Sequence, residues 1–248
     1  LHGFISSFGI IILILTIIIK MMLFPLTYKN YLSSAKMRAL KPQIDELTKK
    51  FENEKDPMKK QQATMGLYRK SGVNPMAGCL PMVVQMPILY AMFRFFPASI
   101  ELRQQPFLWA DDLSSFDSIA SLPFSIPFYG DHVSLFTLLM AVSTIFYTQM
   151  NSSQMPANQP GMPNMKTLMY LFPVMMLFFF NSFASGLSYY YLLANLLSIG
   201  QMIVIKKYII DDDKLLATIQ ENQKKPIKKS NFQKRLEDAA KQRGYKSK

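Results

Sequence analysis

One cysteine, Cys79, leaves no possibility of an internal disulfide and excludes metal centres that need several thiolates. Histidine is almost as scarce: His2 and His132 stand alone, no nucleophile sits with a convincing base, and no glycine-rich phosphate loop occurs. The run Asp211-Asp212-Asp213 reads as a solvated stretch, because three consecutive acids rarely converge on one ion. The expectation is a protein without catalytic residues, metal or cofactor. Acidic residues are also few, 16 against 28 Lys and Arg, giving a net charge of +12.

Charge is scarce over long parts of the chain. Five stretches carry almost none, at about 4–27, 80–96, 133–150, 167–183 and 187–205. Each reaches the length that crosses a bilayer core, about 20 residues at ~1.5 Å per residue. The first is too long for a signal peptide and no A-x-A cleavage site follows it, so it reads as a retained helix. A chain that starts with Leu1 and not Met predicts a further region upstream.

The basic residues are segregated. Eleven fall between Tyr28 and Gly78 and 13 from Lys206 onward, whereas Arg103 is the single basic residue between Ala98 and Asp131, against five acids. The positive-inside rule then makes the basic segments cytoplasmic, with the 98–131 loop and the N-terminus of this chain outside. Asn151–Lys166 is a short polar, Pro-rich cytoplasmic connection, and Ala184-Ser185-Gly186 a tight outside turn. Absence of a visible internal repeat argues against an inverted-repeat transporter.

After the first crossing, Met37, Leu40, Ile44, Leu47 and Phe51 share one helical face. Asp56-Pro57 supplies a helix start and Ser71-Gly72 a stop, which predicts a cytoplasmic helical hairpin over about 33–71. Pro42 either kinks the first arm or marks its true start.

Lys20 lies about five residues, or ~7.5 Å, from the middle of the first crossing. A cation at a helix centre costs about 2.5 to 3.5 kcal/mol, so it faces a protein interior or wet cavity, or snorkels to the surface on its flexible stem. Thr16, Lys20, Leu23 and Thr27 share a face of that helix. Similar stripes run through Ser188, Tyr191, Asn195, Ser198 and Gln201, and through Ser134, Thr137, Ala141, Thr144 and Thr148, while Gln85 adds an amide in the second crossing. Hydroxyls on such stripes suffice as glue between helices. Lysine, asparagine and glutamine demand more partners than one neighbour supplies, and a shared hydrated groove would satisfy them. The 18 methionines suit gap-filling and varied apolar partners; Met82 and Met86, flanking Gln85, are candidates for contact with a client helix. The tail from Lys224 is basic and poor in large apolar residues, suited to ribosomal RNA, anionic lipid or simple anchoring.

NPMAGCLPMVVQMPILYAMF, residues 74–93, resembles the NP-x-x-GC-x-P-x-x-x-Q-x-P segment of the YidC/Oxa/Alb membrane insertases. ELRQQPFLWADDLS, 101–114, resembles the outside segment of bacterial members, and SGLSYYYLLANLLSIGQ, 185–201, their last transmembrane helix. The resemblance implies an all-α membrane protein of the bacterial inner membrane: five transmembrane helices around a hydrophilic groove open to cytoplasm and lipid, plus the cytoplasmic hairpin. On this reading residues 1–207 form the core and 208–248 a basic cytoplasmic tail. It further implies Lys20 as the groove charge, Thr16, Gln85, Thr144, Asn195 and Ser198 as groove lining, and Met82, Met86, Leu89, Tyr190 and Tyr191 as client contacts. Nascent membrane proteins are the implied clients, with the Sec translocon, ribosome, anionic lipid, and signal recognition particle with its receptor as partners. Gram-negative members carry an extra N-terminal helix and a periplasmic domain. Two departures stand out: lysine at 20 where arginine is usual, losing the bidentate fork, and Ala184 where proline is common. The alternatives are a solute or ion transporter using Lys20 as coupling charge, and a passive scaffold for the translocon.

Overall fold

The structure is a computed structural model that describes residues 7–51, 57–74, 80–127, 129–152 and 165–224. Eight α-helices dominate these residues. The charge-free run near the N-terminus forms α1 (Phe8–Ala39), 32 residues that continue past Pro25 into the basic segment. The missing Pro25 amide removes one backbone bond without ending the helix. A break at Leu40 separates α1 from α2 (Lys41–Lys50), with Pro42 in its first turn, where an absent N–H is harmless. Pro42 thus marks a start and not a kink.

Helix α3 (Pro57–Lys70) returns to complete the hairpin; Asp56, the expected cap, lies outside the described residues. Its end is a Schellman turn in which Val73 N–H donates to the Tyr68 carbonyl (2.9 Å) and Gly72 N–H to that of Arg69 (3.1 Å). Gly72 takes φ +67°, which glycine adopts without strain.

The apolar segments that follow form α4 (Leu80–Ala98), α5 (Leu135–Ser152), α6 (Met165–Phe180) and α7 (Ser185–Val204). Helix α7 packs on α5 and α1, α5 on α6, and α4 leans lightly on α1 and α7. Their shared core contains Ile12, Phe96, Phe136, Met140, Leu187 and Tyr190. Phe8–Ala39 and Ser185–Ile209 are each long and apolar enough to cross a membrane, and Val83–Ala98 and Met169–Phe180 are shorter apolar helices.

Two features amend the expectations. The 98–131 loop is not purely irregular and the described chain is not all-α, because β1 (Ala120–Ile126) pairs antiparallel with β2 (Gly130–Val133). Leu122, Phe124 and Ile126 alternate as a strand requires, Gly130 at φ +104° makes the turn, and Pro123 is tolerated because only one edge of β1 is paired. The stretch assigned to the tail contains a further helix, α8 (Asp212–Lys224), which follows a π-helical turn at Ile205–Ile209. Asp211 caps α8, its carboxylate accepting from the amides of Asp213 and Lys214. Leu215 and Ile219 of α8 bury against Leu40, Ile44, Tyr68 and Val73, forming a second core beneath the hairpin. Gln223 adds hydrogen bonds to Gln43 and Ser71, both 2.9 Å. Burial there pushes the Tyr68 phenol above its ordinary pKa.

Candidate functional site

Where α1 meets α7, the Lys20 ammonium donates to the Ser198 hydroxyl at 2.7 Å. That hydroxyl donates in turn to the Ala194 carbonyl one turn earlier (2.7 Å), and Tyr31 Oη donates to the Ser198 carbonyl (3.2 Å). Lys20 therefore reaches across to a neighbouring helix and not along its own. Its partner there is a hydroxyl, so the acceptor that holds the ammonium is neutral. Thr16, on the same face of α1 and fully buried, donates to the Ile12 carbonyl at 2.6 Å and serves its own helix.

A second polar cluster joins α5 to α7. The Asn195 amide donates to Ser143 (3.0 Å) and Thr144 (2.8 Å), and both hydroxyls donate to the Met140 carbonyl. One side-chain amide thus joins two adjacent hydroxyls of the facing helix. Further along α7, the rings of Tyr190 and Tyr191 meet edge to face at 5.3 Å. Their hydroxyls are buried without a hydrogen bond, as are Gln201 Oε1 on α7 and Asn30 Oδ1 on α1. Gln85 on α4 comes close enough to the Tyr190 hydroxyl to act on it electrostatically, though the geometry falls short of a hydrogen bond. Each buried polar atom left unpaired is unfavourable by about 1–3 kcal/mol, so this surface gains from any donor or acceptor brought to it.

The end of the helices that carries the β-hairpin is tied together by hydrogen bonds. Buried Asp117 accepts from Trp109 Nε1 (3.0 Å), the Ser134 hydroxyl, and the amides of Leu135 (2.8 Å) and Phe136 (3.1 Å), capping α5 from a distant loop. Asn181, just past α6, donates to the carbonyls of Tyr129 and His132 and accepts from the Ser134 amide. His132 Nε2 donates to the Asn181 carbonyl, and its ring stacks on Phe116 at 4.1 Å. The first amides of α7 are satisfied by the carbonyls of Ser115 and Leu113. Three helix ends therefore share one loop. Within that loop, burial pushes the Asp112 carboxyl up, but hydrogen bonds from the Ser114 hydroxyl and amide outweigh it and hold the group below the usual carboxylate range.

The structure brings Lys20 to Ser198 and Thr144 to Asn195, sets Gln85 beside Tyr190, and leaves Thr16 bonded within its own helix. Met86 is exposed on α4 and Leu89 half-buried, Tyr190 is fully buried and Tyr191 half-buried, and the side chain of Met82 lies outside the described part of the structure. Gly78 and Cys79, and the tail from Lys225, are outside it too. Tyr31, Ser143, Asp117 and Asn181 were not singled out from sequence. Tyr31 had a readable signal, since eleven residues is close to three helical turns and sets it on the Lys20 face. Asp117 had none, because its partners lie 8 to 19 residues away at no helical or strand spacing.

Outward faces bearing Met21, Met22, Val83, Met86 and Phe179, with lysine, asparagine and glutamine turned toward neighbouring helices, define a helical membrane protein. The chain belongs to the 60Kd inner membrane protein family, whose model matches residues 1–213. It is similar to proteins described as membrane protein insertase YidC: one from Parabacteroides distasonis is 52% identical over 243 residues, covering 96% of this chain and 38% of the relative. One from Bacteroides fragilis is 51% identical over 245 residues (98% and 40%), and one from Porphyromonas gingivalis 48% over 248 (98% and 39%). The chain thus spans about 40% of the length of the relatives it matches.

Proposed function

We propose that this chain is the membrane core of a protein insertase of the bacterial inner membrane. In this reading five crossings, α1, α4, α5, α6 and α7, surround a hydrated groove, with the N-terminus of the chain and the β-hairpin outside and the α2–α3 hairpin in the cytoplasm. The observation that carries the proposal is Lys20, a cation in an apolar helix bonded across to the uncharged hydroxyl of Ser198, with no carboxylate paired to it among the described residues.

The groove's work is physical. A client's polar terminus enters beside Lys20, Asn195 and Thr144 and avoids bare hydrocarbon; acidic termini gain further from the ammonium. The client's apolar segment then moves sideways into lipid past Met82, Met86 and Leu89, gaining about 25 cal/mol per Å² of apolar surface removed from water, and where it parts the helices the buried, unpaired hydroxyls of Tyr191 and Tyr190 gain a partner. Nothing is hydrolysed. The hairpin receives clients and the basic tail docks ribosomal RNA or anionic lipid, with the Sec translocon as an occasional partner and signal recognition particle with its receptor as a source of clients. The tied end beside Asp117 supports a groove closed to the outside and weighs against a transporter that opens alternately to both sides.

The test is insertion of a single-span client into proteoliposomes. Lys20→Met is expected to lower insertion of a client with an acidic terminus by roughly tenfold, the loss of one charge-assisted hydrogen bond, and Lys20→Arg to preserve it. Undiminished activity in the methionine variant would remove the charge from the mechanism.

A further inference from the structure

We propose that Ser198 is a positioning residue that holds the Lys20 ammonium against α7 with an uncharged acceptor, so that the full positive charge stays available to an acidic client terminus. The inference rests on the insertase reading above and deepens it.

Three observations carry it. The Ser198 hydroxyl has one hydrogen, and that hydrogen is committed to the Ala194 carbonyl at 2.7 Å, which leaves only lone pairs facing Lys20. The backbone of Ser198 is pinned from α1 by Tyr31, so the acceptor does not drift. Ser198 is itself buried at 7% exposure, which keeps water from competing for its lone pairs. A lysine stem is flexible enough to carry its head to a headgroup layer, and a fixed acceptor prevents this.

The choice of acceptor matters. A carboxylate in the same place would hold the lysine more strongly but cancel its field, whereas a hydroxyl orients it and leaves the charge intact. One ammonium N–H points to Ser198, and two remain for an incoming carboxylate or carbonyl. A single-point acceptor also suits lysine better than the planar fork of arginine.

The experiment uses the full-length protein in vesicles of uncharged and zwitterionic lipid, with two single-span clients that differ only in carrying Asp or Asn in the translocated terminus. The readout is the ratio of acidic to neutral client inserted, which a general loss of stability does not move. Ser198→Thr keeps the γ-hydroxyl and is expected to retain the wild-type ratio. Ser198→Ala is expected to lower it roughly fivefold, the equivalent of one hydrogen bond, and Ser198→Asp to lower it further by pairing with Lys20. Labelling of Lys20 by a water-soluble amine reagent, read by mass spectrometry, is expected to rise in the alanine variant alone. A ratio that stays at the wild-type value in both Ser198→Ala and Ser198→Asp, while Lys20→Met abolishes the preference, overturns the positioning role and spares the insertase reading. Loss of preference in none of the four variants overturns both.

Discussion

At the residue scale the informative positions are polar groups in apolar company. Lys20 was visible in the sequence because a charge interrupts an uncharged run, and Asn195 and Gln85 because an amide interrupts an apolar one. Their partners were less visible, since which hydroxyl faces which amide depends on helix rotation that periodicity fixes only modulo a turn. Asp117 was invisible as a structural residue; it read as one more acid in an outside loop, and its role comes from folding that loop back over α5. Asp117→Ala removes a buried acceptor from four donors and is expected to destabilise the protein by about 3 kcal/mol, measured as a lowered Tm in detergent. Asp117→Asn, which keeps the shape and one acceptor oxygen, is expected to lose less.

At the scale of elements, the long apolar helices and the start and stop of the hairpin were legible, because charge-free length, proline and glycine are local signals. Helix α8 was not, since its two buried positions, Leu215 and Ile219, form a single i, i+4 pair in a short segment flanked on both sides by charged and polar residues, which reads as tail. Its docking makes the hairpin base depend on residues 150 or more positions away, as the Gln223 to Ser71 bond shows. Leu215→Asp inserts a charge into that small core and is expected to release α8 at a cost of about 3 kcal/mol, roughly a hundredfold in the local opening equilibrium. Limited proteolysis at the lysines of α2 and α3 would register it as faster cleavage, with the apolar core resistant as before. The β-hairpin escaped notice for a related reason: seven residues with a proline inside look like an irregular loop until their partner strand is known.

For the whole molecule, composition and charge segregation pointed to the membrane class before any coordinates, and the family match agrees with it. The proposed orientation is open to a direct measurement. In a Cys79→Ser background, Ser118→Cys is expected to react with a membrane-impermeant thiol reagent in intact cells, and Lys214→Cys only after lysis; the reverse pattern would invert the topology. The shared loop that binds the starts of α5 and α7 to the end of α6 has a mechanical consequence. With three rods lashed together at one tip, tilting is pivoted there, and displacement grows toward the far tips. Over the 18 residues of α5, about 27 Å, a swing of about 10° separates the free tips by about 5 Å, close to the girth of one extended polypeptide.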